Sequence, residues 1–197
     1  MKTVLDRVNF EFKPTTITEE YRRTNERMHE TTPEFGTSGQ KYAQKVQMAY
    51  IMTGCESLLD YGCGKATLAD SLPQIKVTNY DPAMPRFSAR PQPCDMVACT
   101  DVMEHIEPEC IDAVLDDIKS LAKKTVFFSI ATRPARKTLP DGRNAHISIH
   151  DYLWWTNKIA ARWRIGMMVN HEHGEVELTC YTENTQQLIM PNEIIAV

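Results

Sequence analysis

The chain has 197 residues, 42% of them apolar and 8% aromatic. That is enough for one domain with its own core and too apolar for global disorder. Its 22 basic and 26 acidic residues leave a net charge of −4, which disfavours a nucleic-acid partner without forbidding one, and no run approaches the length of a membrane span, so no membrane partner is expected.

The opening stretch MKTVLDRVNFEFK carries Asp6 and Glu11 and no long apolar run. It does not read as a secretory signal, and residues 1–17 read as an irregular arm. Thr18 then suits an N-cap before Glu19 and Glu20, starting a helix over 19–30 that is charged on most faces. Residues 35–39 form a loop. A second helix over 41–53 places Tyr42, Val46, Ala49 and Tyr50 at helical spacing and stops at Gly54.

A short apolar strand over 57–61 is broken by Gly62 and Gly64, and a helix over 66–72 stops at Pro73. A second strand over 75–80 ends on Asp81-Pro82. A connection rich in Pro and Arg over 83–93 leads to a strand over 96–100. A helix over 111–122 precedes a β-branched and aromatic strand over 125–131. A long polar loop follows, then a helix over 150–164 with Tyr152, Trp155, Ile159 and Trp163 on one side. Strands over 167–170 and 176–181 flank the turn Glu172-His173-Gly174 and form a hairpin. Strands alternating with helices imply an α/β fold: a mostly parallel sheet with helices on both faces and a C-terminal antiparallel hairpin strand.

The six cysteines, at 55, 63, 94, 99, 110 and 180, include no CxxC pair. They read as reduced, buried thiols of a cytoplasmic protein. His171 and His173 lack a second ligand pair at finger-like spacing, so no metal is expected.

Most of the chemistry lies in Leu58-Leu59-Asp60-Tyr61-Gly62-Cys63-Gly64-Lys65-Ala66. A phosphate-binding Walker loop needs Lys followed by Ser or Thr, and Ala66 breaks that pattern. A dinucleotide fingerprint needs a third glycine where Thr67 stands. Asp60, Gly62, Gly64 and Ala66 instead fit DxGxG(x)G/A. An acid in front of the loop would repel a pyrophosphate and suits a cationic ligand. About 20 residues on, Asp81 ends the next strand, where an acid accepts hydrogen bonds from ribose hydroxyls.

With these, the segment Cys94-Asp95-Met96-Val97-Ala98-Cys99-Thr100-Asp101-Val102-Met103-Glu104-His105-Ile106-Glu107-Pro108 resembles the small-molecule-type branch of the class I, Rossmann-like S-adenosylmethionine (SAM)-dependent methyltransferases. In many members it reads close to FDxVxxxxVxEHxxx. The resemblance covers about residues 55–130. It implies a sheet of seven strands, or six where the third is reduced. It implies SAM as cofactor and S-adenosylhomocysteine (SAH) as product, bound by Asp60, Gly62, Cys63, Gly64, Asp81, Pro82, Thr100, Asp101 and Val102. One departure stands out: no third strand fits between Asp81 and the 94–108 segment. The usual acid for the adenine amine is therefore missing, which leaves backbone near 90–93 or stacking to hold the base.

The same resemblance places the acceptor over the later strand ends. The loop there carries Arg133, Arg136, Lys137 and Arg143 against Asp141, a density that suits phosphate or carboxylate. His146 is the candidate general base, and His105 falls near the transferred methyl. Tyr42 and Trp154 are further candidates for the acceptor, Trp154 by stacking; Phe35–Gly39 and Tyr21 are placed to close over the cofactor. The whole chain, 1–197, reads as one methyltransferase domain: a helical cap (1–54), a cofactor-binding core (55–131), a substrate loop (132–149), and a C-terminal helix and hairpin (150–197). The expected activity is methyl transfer to a small polar or anionic acceptor such as a nucleotide or sugar phosphate. The alternatives are a non-catalytic subunit that keeps the fold and, less favoured, an NAD-dependent oxidoreductase. The DNA amino-methylation pattern [DNS]PP[YFW] is absent, and Pro93-Cys94 precedes the strand a cytosine nucleophile would follow. Oligomeric state stays open.

Overall fold

The computed structural model describes residues 15–183. Residues 1–14 of the arm read over 1–17, and the end of the C-terminal section, 184–197, lie outside the described residues. Helix α1 (Glu19–Thr31) begins where the Thr18 side chain accepts the Tyr21 N–H, with Glu19 and Glu20 in the positive first turn. Its inward face is Tyr21, Asn25 and Met28, one helical stripe. Helix α2 (Gly39–Met52) buries Tyr42, Ala43, Val46 and Ala49. Strand β1 (Leu58–Tyr61), the single turn α3 (Thr67–Asp70) and β2 (Val77–Tyr80) follow. The helix expected over 66–72 is only that single turn, and it starts at Thr67 because Ala66 before it is left-handed.

Between β2 and β3 (Cys94–Thr100) the chain makes only a 3-10 turn, Pro85–Phe87, and no strand. Helix α4 (Ile111–Leu121) runs directly into β4 (Ala122–Ala131). Helix α5 (Tyr152–Ala160) is shorter than expected: Asp151 caps it through the Trp154 N–H, and β5 (Arg164–His171) starts soon after it ends. Strand β6 (Glu175–Tyr181) completes the hairpin.

Among the described residues the sheet has six strands in the order β2-β1-β3-β4-β6-β5. The pairs β1–β2, β1–β3 and β3–β4 are parallel; β4–β6 and β5–β6 are antiparallel. The reduced third strand is thus borne out, and the fold is α/β as expected.

Alternation along the strands divides the core. Leu58, Met96, Ala98 and Phe127 pack under α2 and α3. Leu59, Val97, Cys99, Phe128 and Leu178 face α4 and α5 with Trp155 and Trp163. A third cluster joins Tyr21, Met28 and Phe35 to Leu139 and Ala145. The N-terminal helix and the loop after β4 therefore meet as a roof. Because β1 sends the chain outward to β2 and then across to β3, the crevice of this sheet opens at the carboxyl ends of β1 and β3. No helix among the described residues is long and apolar enough to cross a membrane.

Candidate functional site

The loop after β1 is shaped by close approaches. Gly62 and Gly64 sit at φ +77° and +49°. A Cβ on Gly62 would lie 2.5 Å from a Val102 methyl, and one on Gly64 2.6 Å from the Gly36 carbonyl oxygen. Only glycine fits either place. Backbone bonds fix the turn: Gly62 and Cys63 both donate to the Tyr80 carbonyl, and Lys65 donates to Gly36. Asp81 ties the loop to the end of β2. Its Oδ2 accepts the Gly64 N–H at 3.0 Å, and its Oδ1 accepts the Ala83 N–H at 2.9 Å.

These residues border a cavity of about 600 Å³ under the roof of α1 and the loop after β4. Asp60, Gly62, Cys63, Gly64, Asp81, Pro82, Thr100, Asp101, Val102, His105, His146, Arg133 and Arg136 all line it, as do Tyr21 and the 35–39 loop. The structure thus gathers nearly all the site candidates around one space.

Asp60 is 3% exposed and meets no hydrogen-bond donor among the described residues. Burial first, then the charge of Asp81, pushes its carboxyl up to about 7. A carboxylate so placed calls for a cationic partner from the cavity. The thiol of Cys63 is also pushed up, chiefly by burial.

At the end of β3, Asp101 adopts φ +59°. Burial raises its carboxyl, but His105, a Ser38 hydrogen bond, His146 and Lys41 together hold it below the usual range. His105 lies on the 3-10 turn Met103–His105, and its Nδ1 is 2.8 Å from the Ala145 carbonyl. Burial takes its pKa down to about 4, so the ring is neutral at pH 7. His146 Nδ1 lies 2.6 Å from the Arg133 carbonyl. The two rings stand edge to face, 4.8 Å apart at 88°.

Three expected substrate residues fall elsewhere. Tyr42 is buried against the sheet, its hydroxyl donating to Glu175 at 2.9 Å. Trp154 stacks on His150 with centroids 3.6 Å apart, outside the cavity lining. Arg143 is exposed and paired with Asp141 at 2.7 Å. Within the basic loop, Arg133 lines the cavity but spends its Nε–H on the His173 carbonyl. Arg136 and Lys137 line it beside Arg133, and Lys41 adds a cation from α2. The stretch 90–93 considered for adenine does not line the cavity either, since Arg90 turns out to Asp117 and Ser120.

The sequence reading missed His29 and Asn25, which line the cavity from α1. His29 Nε2 is 3.9 Å from Asp81, and its pKa is lowered by burial. The stripe Tyr21, Asn25, Met28 was the available signal. It also missed Glu107, whose carboxylate accepts both the backbone N–H and the hydroxyl of Thr18. Glu104, beside His105, is fully buried and accepts the Ala131 N–H at 2.7 Å.

The chain matches no family model and no curated protein. Solved structures do match. Magnesium protoporphyrin IX methyltransferase from Synechocystis PCC 6803 with bound SAM aligns at a TM-score of 0.60 and 15% identity, over 85% of this chain and 100% of that one. The 1,6-didemethyltoxoflavin-N1-methyltransferase of Burkholderia thailandensis, with 1,6-didemethyltoxoflavin and SAH bound, aligns at 0.60 and 14% identity, over 83% and 89% of the two chains. The fold is that of the class I methyltransferases.

Proposed function

We propose that the protein is a SAM-dependent methyltransferase acting on a small polar or anionic acceptor. The observation that carries this reading is Asp60: a buried carboxylate without a donor, at the mouth of a glycine loop, facing a cavity of about 600 Å³. An ammonium group on the methionine end of the cofactor supplies the missing charge. The glycine turn gives that end close access to backbone. Asp81 keeps lone pairs beyond its two backbone bonds and offers them to the ribose hydroxyls. Pro82, Ala83, Val102 and Val114 form apolar walls for the adenine, which suits a base held by stacking and shape without a dedicated acid. The fold's presence in enzymes with bound SAM or SAH supports this assignment.

When bound, SAM supplies a methyl group on a sulfonium, an already activated leaving group. The chain's task is then to align the acceptor. Arg136 and Lys137 give the acceptor side a positive wall suited to phosphate or carboxylate. Neutral His105 stands at the end of β3 with His146 beside it, where an acceptor hydroxyl or amine would lie, and His146 is the side chain placed to take its proton. The test is SAH release from SAM over a panel of nucleotides, sugar phosphates and small carboxylic acids. Turnover with an acceptor of this class, lost in Asp60→Asn, is expected. Absence of turnover across the panel in a protein that binds SAH would favour a non-catalytic subunit.

A further inference from the structure

We propose that Asp101, His105 and His146 bind one divalent transition-metal cation on the acceptor side of the cavity. One ligand atom from each lies within 4.8 Å of the other two, and all three residues line the cavity. The tautomers are set for coordination. The Ala145 and Arg133 carbonyls accept from Nδ1 of His105 and His146, at 2.8 and 2.6 Å, so each Nε2 carries a lone pair. Metal-binding imidazoles are oriented by this kind of backbone bond. The two rings stand 4.8 Å apart at 88° beside the Asp101 carboxylate. His146 is only 7% exposed, so its free nitrogen has little access to bulk water.

A second observation points the same way. Glu104, fully buried behind the triad, gives one oxygen to the Ala131 N–H, and its Oε2 has no donor among the described residues. Its carboxyl interacts with that of Asp101. One carboxylate and two imidazoles with open lone pairs, backed by a buried carboxyl oxygen without a partner, form a donor-rich site that a divalent cation completes. Two imidazoles and one carboxylate suit Zn²⁺, Fe²⁺ or Mn²⁺ and leave coordination positions open to the cavity. Resting on the methyltransferase reading, those positions would take an oxygen of the acceptor and fix it, the imidazoles then serving as ligands and not as bases. The acceptor class narrows accordingly to molecules that present a hydroxyl or carboxylate oxygen. The other His/Glu group, His171 with Glu175 and Glu177, is less open: Glu175 accepts from Tyr42 and Glu177 pairs with Lys45.

The test is titration of the chelator-stripped full chain with Co²⁺, followed by visible absorption, with Zn²⁺ as competitor. One equivalent is expected to bind. His105→Ala and His146→Ala should each lower the affinity at least ~10-fold, comparable with the loss of an orienting group around a metal. Asp101→Asn, which keeps the side-chain size, should do the same with an unchanged circular dichroism spectrum, and His171→Ala should bind as wild type. No saturable binding, binding indifferent to the triad variants, or binding lost only with His171→Ala would overturn the proposal. A parallel titration of the stripped chain with SAH separates the two readings. SAH binding without Co²⁺ binding rejects the cation alone; Co²⁺ binding without SAH binding upholds the cation site and rejects the cofactor.

Discussion

Asp60 carries a measurable conflict between stability and function. Its folded pKa, about 7, lies above the usual carboxylate value because of burial and then Asp81. Between pH 4 and 7, roughly, the folded chain holds a proton that the unfolded chain has released, so this group makes the ligand-free protein less stable as pH rises through that window. Asp60→Asn removes the cost. The variant should melt at a higher temperature than wild type at pH 8 without ligand, and should bind SAH roughly 10–100-fold more weakly, the range for a lost hydrogen bond to a charged group. Thermal melts and calorimetry read both; a joint fall would make Asp60 a structural residue. Asp81→Ala should weaken SAH binding by about 1.5–3 kcal/mol, with the Gly64 N–H freed at the same time. On the acceptor side, Arg136→Ala should raise the acceptor KM severalfold with SAH affinity unchanged. Arg143→Ala should alter neither, because Arg143 is already neutralised by Asp141 in solvent.

The glycine loop and its two acids were legible in the sequence because backbone shape dictates those residue types. Tyr42 and Trp154 were not. Tyr42 is claimed by Glu175, far along the chain, and Trp154 by the ring of His150. A sequence gives a side chain's type and its element, and the distant partner then decides where it points.

At the scale of elements, α1 is the part whose position sets the roof. Its outer ion pairs, Arg22 and Arg23 with Glu19 and Glu26, sit largely in solvent and hold little. The inner bonds do more. Glu107 holds the Thr18 backbone and hydroxyl at 2.9 and 2.6 Å, and the Tyr21 hydroxyl donates to the His105 carbonyl at 2.8 Å. Glu107→Ala should therefore lower the local stability of α1 by about 1–2 kcal/mol, since the Thr18 donors lose a charged acceptor. Amide hydrogen exchange should quicken in α1 and in the loop packed beneath it, with the sheet unaffected; unchanged exchange in α1 would show that the apolar cluster alone seats the helix. The sequence showed this helix and its cap but not its function, because the charged residues around it hide a stripe of three inward side chains. The loop after β4 was legible as an unusual insertion. That it would pack on α1 through Leu139 and Ala145 was not, since such contacts carry no local period.

At the scale of the molecule, the sheet does two things at once. Its strands bury apolar side chains on both faces, and its change of direction at β1 leaves a crevice where the loops meet. Leu59→Ala removes a fully buried β1 side chain on the face packed by α4 and α5 and should cost about 2–5 kcal/mol of global stability, read by denaturant unfolding. The strand-helix alternation made this architecture readable, and the short Pro-rich link after Asp81 foretold the missing strand. The helix starts were less so, because a left-handed Ala66 and an Asp151 cap decide them locally.

The central claim is that the crevice holds SAM, and calorimetric titration of the purified chain with SAH, with NADH as control, tests it most directly. Saturable one-site binding of SAH, weakened in Asp60→Asn and absent for NADH, is the predicted result. Binding of NADH, or no binding of SAH by a folded protein, would contradict it.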